Sequence, residues 1–102
     1  MTELLKNKVA LITGGNSGIG KAISIRAASE GAKIVIGARD EKTGKETVDY
    51  ISSKGGEAFF IKADMSDPKQ IDSLFEKTIE KYGEVDLACN NSAIGLSPHV
   101  PL

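Results

Sequence analysis

Three glycines with a fixed spacing, Gly14, Gly18 and Gly20, follow the first strand-like run of the chain. That run, residues 8–13 (KVALIT), is largely apolar and rich in β-branched residues, which predicts a buried strand. From about Gly18 the alanine-rich segment IGKAISIRAASE predicts a helix that ends at Gly31. A glycine turn between a strand and a helix N-terminus presents free backbone N–H groups and the positive end of the helix dipole. This arrangement is typical of phosphate binding.

The same residues allow two other interpretations. Gly15, Gly20 and Lys21 have the spacing of a nucleoside triphosphatase loop. That loop requires Ser or Thr after the lysine to hold Mg²⁺, and Ala22 has no oxygen to offer, which weakens this alternative. The glycines could also form only a tight turn, although a bare turn would not need three residues that each cost conformational entropy. Both alternatives stay open at this point.

The rest of the chain alternates between strand and helix patterns. The predicted elements after the first helix are strand, helix, strand, helix and strand, at residues 33–38, 39–55, 57–63, 67–82 and 85–89. The helix at 39–55 is weakened by Gly44. Regular alternation of strands and helices predicts an α/β fold in which helices cover both faces of a parallel sheet.

The last helix has the clearest signals. Asp67, Pro68 and Gln70 give an N-cap, a proline at the first helical position and a glutamine at the third. Gly83 marks its end. Six residues between them recur at helical spacing and predict one continuous face: Ile71, Leu74, Phe75, Thr78, Ile79 and Tyr82.

Composition narrows the functional classes. The chain has 102 residues, enough for one domain, and 13 Lys plus Arg against 14 Asp plus Glu leave a net charge of −1. We therefore expect no nucleic-acid partner, because there is no basic field to hold a phosphate backbone. The single cysteine, Cys89, excludes an internal disulfide and a structural zinc site, which favours a reducing, cytoplasmic compartment. We expect no targeting segment, no transmembrane helix and no membrane partner.

Motifs at three strand ends resemble those of the short-chain dehydrogenase/reductase family. Residues 13–20 resemble its cofactor loop, Asp64 follows the third strand, and residues 90–93 (NNSA) resemble its Asn-Asn-Ala-Gly signature. Ser92 and Ala93 depart from that signature and crowd the loop slightly. The resemblance implies a Rossmann-like doubly wound parallel sheet with the strand order 3-2-1-4, ending after the fourth strand. It also implies a dinucleotide cofactor.

Eleven residues are predicted to bind this cofactor through the glycine loop and the ends of strands two, three and four: Gly14, Asn16, Ser17, Gly18, Ile19, Gly20, Arg39, Asp64, Met65, Asn90 and Asn91. Position 38, where NAD-preferring members of the family carry Asp, is Ala, and Arg39 next to it can grip a 2′-phosphate, with Asn16 and Ser17 adding hydrogen bonds. NADP is therefore favoured over NAD. Two alternatives stay open: a solvated Arg39, or an Asp40 that turns back to the ribose and favours NAD.

The resemblance implies hydride transfer between a carbonyl and an alcohol, with a Tyr as acid/base, a Lys and a Ser in the half of the fold after the fourth strand. We expect that half to lie beyond residue 102, so that residues 1–91 form the NAD(P)-binding half-domain and residues 92–102 lead out of it. Such a chain would have no catalytic residues of its own, would be inactive alone and would self-associate through the free edge of the fourth strand. Tyr50 and Lys54 have the catalytic Tyr-x-x-x-Lys spacing, but we expect them on a solvated helix face.

Two functional hypotheses of different classes follow. The first is the NADP-binding N-terminal part of a short-chain oxidoreductase. The second is a nucleotide-binding or interaction module that keeps the fold without the chemistry. A metal-dependent nucleotide hydrolase is a third possibility, which Mg²⁺-dependent ATP binding would reveal.

Overall fold

Four strands and three helices alternate along the chain, as predicted. The computed structural model describes residues 4–14 and 18–90. Its elements in chain order are β1 (Val9–Thr13), α1 (Gly18–Ser29), β2 (Lys33–Ala38), α2 (Glu41–Ser53), β3 (Glu57–Lys62), α3 (Pro68–Tyr82) and β4 (Leu87–Asn90). Two elements differ most from the sequence prediction: α2 is two residues shorter at each end than 39–55, and β4 begins at Leu87 instead of residue 85 and includes Asn90.

The strands form one parallel sheet in the order β3-β2-β1-β4. This confirms the predicted α/β architecture and strand order. In a parallel sheet all strands end at the same edge, so the residues that follow β1, β2 and β3 meet there with the last residue of β4. The parallel crossovers are made by the three helices.

The central strands β1 and β2 are buried on both faces, which explains their unbroken apolar sequences. On one face Ile12, Ile34 and Ile36 pack with Ala27 of α1 and Ile51 of α2. On the other face a second apolar cluster belongs to the α3 side of the sheet and contains Leu11, Val35, Ile61, Ala63 and Leu74. The helices therefore cover both faces, as predicted.

Local signals set the ends of α2 and α3. Asp40 caps α2 by accepting a hydrogen bond from the Thr43 N–H at 3.3 Å. Asp67 caps α3 by accepting from the Lys69 N–H at 3.0 Å, and the helix ends at Gly83, whose φ of 87° lies in the left-handed region. These caps set where α2 and α3 begin, and both helices begin shortly after the carboxyl ends of β2 and β3.

The apolar face predicted for α3 is only partly buried. Leu74 and Thr78 are fully enclosed, whereas Phe75 is 36% and Ile79 is 48% exposed. The helix packs on the sheet through a stripe narrower than its apolar face, and the described part of the chain covers Phe75 and Ile79 only in part. Helical spacing predicts which residues share a face but does not predict how much of that face has a partner.

Gly44, which weakened the prediction of α2, has a packing role. A Cβ at this position would enter the space of the Phe60 ring on β3. The absence of a side chain lets α2 lie close to the sheet, and this close approach offsets the low helix propensity of glycine.

None of the helices in the part of the chain that the structure describes is long and apolar enough to cross a membrane.

Candidate functional site at the carboxyl edge of the sheet

The turn after β1 is built on glycine conformations. Gly14 has a φ of 69° and Gly18 a φ of 56°, both in the left-handed region. A Cβ on Gly18 would meet no atom within 4 Å, so this position requires glycine for its backbone angle and not for space. The Gly14 N–H donates to the Gly37 carbonyl at 2.7 Å, which ties the start of the turn to β2.

The helix that follows this turn starts as predicted at Gly18. Gly20 is buried in its first turn, and the hydroxyl of Ser24 donates to the Gly20 carbonyl at 2.8 Å. Ile19 is 65% exposed beside the turn. The α1 N-terminus therefore offers backbone donors at the carboxyl edge of the sheet. Asn16 and Ser17, two of the predicted binding residues, lie outside the described residues.

A cleft of about 430 Å³ opens beside this turn, at the ends of β2 and β3. Four of the predicted residues line it, and they come from three separate parts of the sequence: Gly14, Arg39, Asp64 and Met65. Ala38, Asp40 and Ser66 complete its lining. Its volume lies within the range of small-molecule sites in proteins.

The Asp64 carboxylate is held in its charged form. The hydroxyl of Ser66 donates to Asp64 Oδ1 at 2.7 Å, and the Ser66 N–H donates to the same oxygen at 2.9 Å. These two bonds, the hydroxyl first, lower the pKa of Asp64, and the positive charge of Arg39 adds to the effect. The cleft therefore carries the negative charge of Asp64 near the positive charge of Arg39, and the Asp40 carboxylate also belongs to its lining.

Arg39 is exposed at the start of the β2–α2 connection. Within the described residues no carboxylate lies at ion-pair distance from its guanidinium. Asp40, by contrast, is engaged: its carboxylate caps α2 through the Thr43 N–H, and its carbonyl accepts from the Thr43 hydroxyl at 3.4 Å. Of these two neighbouring charged residues, the cation has the greater freedom to meet a ligand.

Asn90 lies on the other side of β1. It pairs with Thr13 in the parallel register, and the Thr13 hydroxyl donates to Asn90 Oδ1 at 2.9 Å. The same hydroxyl lies 3.3 Å from the Cys89 carbonyl. Thr13 thus joins the end of β1 to the end of β4. Asn91 lies outside the described residues.

Sequence reasoning missed two residues that shape this site. Ser66 follows Asp64 in an Asp-x-Ser pattern, which is a signal for a local side-chain turn. Gln70 was interpreted only as a helix-start residue, yet its side-chain oxygen accepts from the Asp64 N–H at 2.7 Å. No sequence signal indicates the contact between Gln70 and Asp64, because it depends on how the β3–α3 turn folds back.

Tyr50 and Lys54 lie far from this edge. They line a larger cleft of about 740 Å³ together with Lys33 and Glu57, the first residues of β2 and β3. The Lys54 ammonium lies 5.6 Å from the centre of the Tyr50 ring. This cleft therefore opens at the amino edge of the sheet, where α1 and α2 end. Lysines are expected there, because cations stabilise helix C-termini.

Comparisons with known proteins agree with this fold. The family profile described as short chain dehydrogenase matches residues 8–101. A 3beta-hydroxysteroid dehydrogenase of Mediterraneibacter gnavus is 44% identical over 87 residues, which are 85% of this chain and 32% of that protein. The short-chain dehydrogenase/reductase homolog YusS of Bacillus subtilis is 38% identical over 97 residues, covering 94% of this chain and 87% of YusS.

Solved structures show the same likeness. A hydroxysteroid dehydrogenase from Escherichia coli superposes with a TM-score of 0.83 at 35% identity, covering 86% of this chain and 37% of that one. A variant of actinorhodin polyketide ketoreductase, solved with NADPH, gives a TM-score of 0.79 at 36% identity over 82% of this chain and 32% of its own. The chain thus spans about a third of the length of these enzymes. With a profile match over almost its whole length and the predicted sheet order, the chain belongs to the short-chain dehydrogenase/reductase family.

Proposed function

We propose that this chain is the NADP(H)-binding N-terminal part of a short-chain oxidoreductase that acts on a carbonyl/alcohol pair. In this proposal residues 1–91 form the cofactor-binding half, residues 92–102 lead towards the rest of the protein, and the catalytic Ser, Tyr and Lys lie in that remainder. The 102-residue chain alone would then bind the cofactor without turning it over.

The observation that best supports this proposal is the environment of two neighbouring charged residues after β2, Arg39 and Asp40. Arg39 is exposed beside the cleft, while the Asp40 carboxylate is engaged as the cap of α2. An acidic side chain at this place would accept hydrogen bonds from a ribose and repel a 2′-phosphate, whereas a guanidinium binds phosphate through two parallel bonds. If Asp40 turned towards a ribose and gave up its bond from the Thr43 N–H, the loss of this helix cap would cost about 1 kcal/mol.

The residues fit the proposed cofactor. The turn after β1 and the first turn of α1 supply backbone donors for a pyrophosphate, and the cleft can take an adenosine between Arg39 and Asp64. The cofactor supplies hydride chemistry when bound. The residues of this chain would bind and orient it. Gly14, Gly18 and Gly20 would act through their backbone, and Arg39 and Asp64 through their charge. Asn90 would act from its position next to Thr13 at the end of β1. We propose the same role for Asn16, Ser17, Ile19, Met65 and Asn91.

Calorimetric titration of the 102-residue chain with NADPH and with NADH tests this proposal. We expect NADPH to bind more tightly. Arg39→Ala should weaken NADPH binding by about 10- to 100-fold, as for a lost hydrogen bond to a charged group, and should leave NADH unchanged. Lys42→Ala is the matched control, since it removes an exposed cation from the first turn of α2. Equal affinity for both cofactors, or an equal loss of both in Arg39→Ala, would refute the assignment of NADP.

A nucleotide-binding module without catalysis is the second candidate. YusS favours it, because this chain covers 87% of that relative, so a member of similar extent exists. Oxidation of NADPH by the 102-residue chain with a panel of carbonyl compounds would exclude this candidate. It would also contradict the proposed position of the catalytic groups.

We further propose that the isolated chain self-associates through β4. Among the described strands β4 lies at the end of the sheet and pairs with β1, and Leu87 on β4 is 45% exposed. Leu87→Lys should lower the association measured by sedimentation velocity at tens of micromolar. A monomer at that concentration in the unsubstituted chain would refute the proposal. A cytoplasmic location, which rests on the single cysteine, is also proposed and is tested by cell fractionation.

A further inference from the structure

The turn between β3 and α3 carries Asp64 and Met65, two of the residues that line the cleft beside Arg39. Its first bond ties it to the sheet: the Ala63 N–H donates to the Ala38 carbonyl at 2.9 Å. The turn then closes on itself, because the Asp67 N–H donates to the Asp64 carbonyl at 3.1 Å. From there α3 leads away, so the position of Asp64 depends on what holds this short turn.

Gln70, in the first turn of α3, reaches back to this turn with both ends of its side-chain amide. Its Oε1 accepts from the Asp64 N–H at 2.7 Å, and its Nε2 donates to Asp67 Oδ2 at 3.3 Å. The first partner is a donor and the second is an acceptor, so only one orientation of the amide satisfies both. A glutamate would place a second carboxylate against Asp67. An apolar side chain would remove both the acceptor of the Asp64 N–H and the donor to Asp67 Oδ2.

The consequence for the cleft lies in the Asp64 carboxylate. Oδ1 takes both bonds from Ser66, and no donor among the residues that the structure describes is recorded for Oδ2. With its N–H held by Gln70 and Oδ1 held by Ser66, Asp64 can adopt few other positions. Oδ2 is left available as an acceptor at the edge of a cleft that Arg39 and Asp40 also line.

We propose that Gln70 is a positioning residue for the adenosine end of the cofactor: its side-chain amide holds the Asp64–Asp67 turn so that Asp64 faces the cleft opposite Arg39. This inference rests on the proposed function. Gln70 itself does not line the cleft. It acts by removing alternative conformations of the turn, so the cofactor does not have to order the turn on binding.

The test separates the adenosine end from the pyrophosphate end of the site. Adenosine 2′,5′-bisphosphate probes the cleft, and inorganic pyrophosphate probes the glycine turn through the amide signals of Gly18 and Gly20 in ¹H–¹⁵N spectra of the 102-residue chain. Gln70→Met keeps the length of the side chain and a high helix propensity but removes both hydrogen bonds. We expect it to weaken the bisphosphate by about three- to tenfold, the range for one or two net hydrogen bonds, and to leave pyrophosphate unchanged.

Two further readouts distinguish positioning from general stability. In Gln70→Met the Asp64 amide proton should shift and exchange faster with solvent, because its acceptor is gone. Lys77→Met, on an exposed position of the same helix, should change none of these signals. Unchanged bisphosphate affinity in Gln70→Met, or an equal loss of both probes, would overturn the role of Gln70. If the folded, unsubstituted chain binds no bisphosphate, the proposed function itself fails and this inference fails with it.

Discussion

Asp86 closes the ladder between β1 and β4 at the end opposite to the candidate site, and its removal gives a sharp test of how the sheet is held together. Its carboxylate oxygen Oδ2 accepts from the Val9 N–H at 2.8 Å, and its own N–H donates to the Val9 carbonyl at 2.9 Å. Val9 is only 2% exposed. In the ladder that follows, Ala10 pairs with Leu87 and Thr13 pairs with Asn90.

Asp86→Ala keeps the backbone bond but leaves the Val9 N–H without its acceptor. A buried donor without a partner costs about 1–3 kcal/mol, and the lost bond is to a charged group, so we expect the free energy of unfolding to fall by about 2 kcal/mol. For a domain of this size that loss lowers the melting temperature by about 8–16 °C. Asp86→Asn is the matched control, because its amide oxygen can accept the same bond without a charge. It should lose less than half as much.

Urea denaturation followed by circular dichroism measures both variants against the unsubstituted chain, with the slope checked to ensure that only stability has changed. The reasoning would be refuted by an Asp86→Ala variant within about 0.5 kcal/mol of the unsubstituted chain, since that value is ordinary for a surface substitution. Equal losses in Asp86→Ala and Asp86→Asn would assign the effect to the charge of Asp86 and not to the acceptor that it offers to Val9.

Two further predictions concern α2 and the turn after β3. Gly44→Ala should lower the free energy of unfolding by about 1 kcal/mol, because overpacking against Phe60 at about 1–3 kcal/mol exceeds the helix-propensity gain of about 1 kcal/mol; a more stable variant in urea denaturation would show that the Phe60 ring moves away freely. Asp64 has a lowered pKa in the folded chain, so its contribution to stability is present above the unfolded pKa of about 4 and is lost as the pH falls through the folded value. Carboxyl NMR titration should find this low pKa, and Ser66→Ala should raise it. A carboxyl that titrates at its ordinary value in the unsubstituted chain would contradict the bonds drawn from Ser66.

The sequence predicts the elements well where local chemistry decides them. The bounds of β2 follow from the run KIVIGA, and α3 begins at Pro68 because Asp67 and Pro68 are strong start signals. β4 was predicted to begin at residue 85, but Asp86 is engaged with Val9 and the regular ladder starts at Leu87. Which residue of a polar–apolar run starts the ladder depends on a partner strand 77 residues away, and no local pattern contains that information.

The candidate site divides in the same way. Residue types that act through their own backbone or charge, such as Gly14, Gly18 and Arg39, are visible in the sequence because their chemistry is local. Gln70 is different, since its contact with Asp64 spans six residues and exists only when the β3–α3 turn has folded. Residues that hold other residues in place therefore have to be found in the structure, whereas candidates for ligand contact can be proposed from their type and position in the sequence.

The strand order also determines how a dinucleotide could lie on this edge. β1 has β2 on one side and β4 on the other, and β3 lies beyond β2. Arg39 and Asp64 follow β2 and β3, so these two charged residues of the cleft lie on one side of the glycine turn, while Asn90 lies on the other side, joined to Thr13. A ligand with its pyrophosphate at the glycine turn must then extend in both directions from β1. If NADP binds as we propose, its adenosine lies over β2 and its nicotinamide end lies towards β4. Asn90→Ala should then weaken binding of the whole cofactor and leave the affinity for adenosine 2′,5′-bisphosphate unchanged.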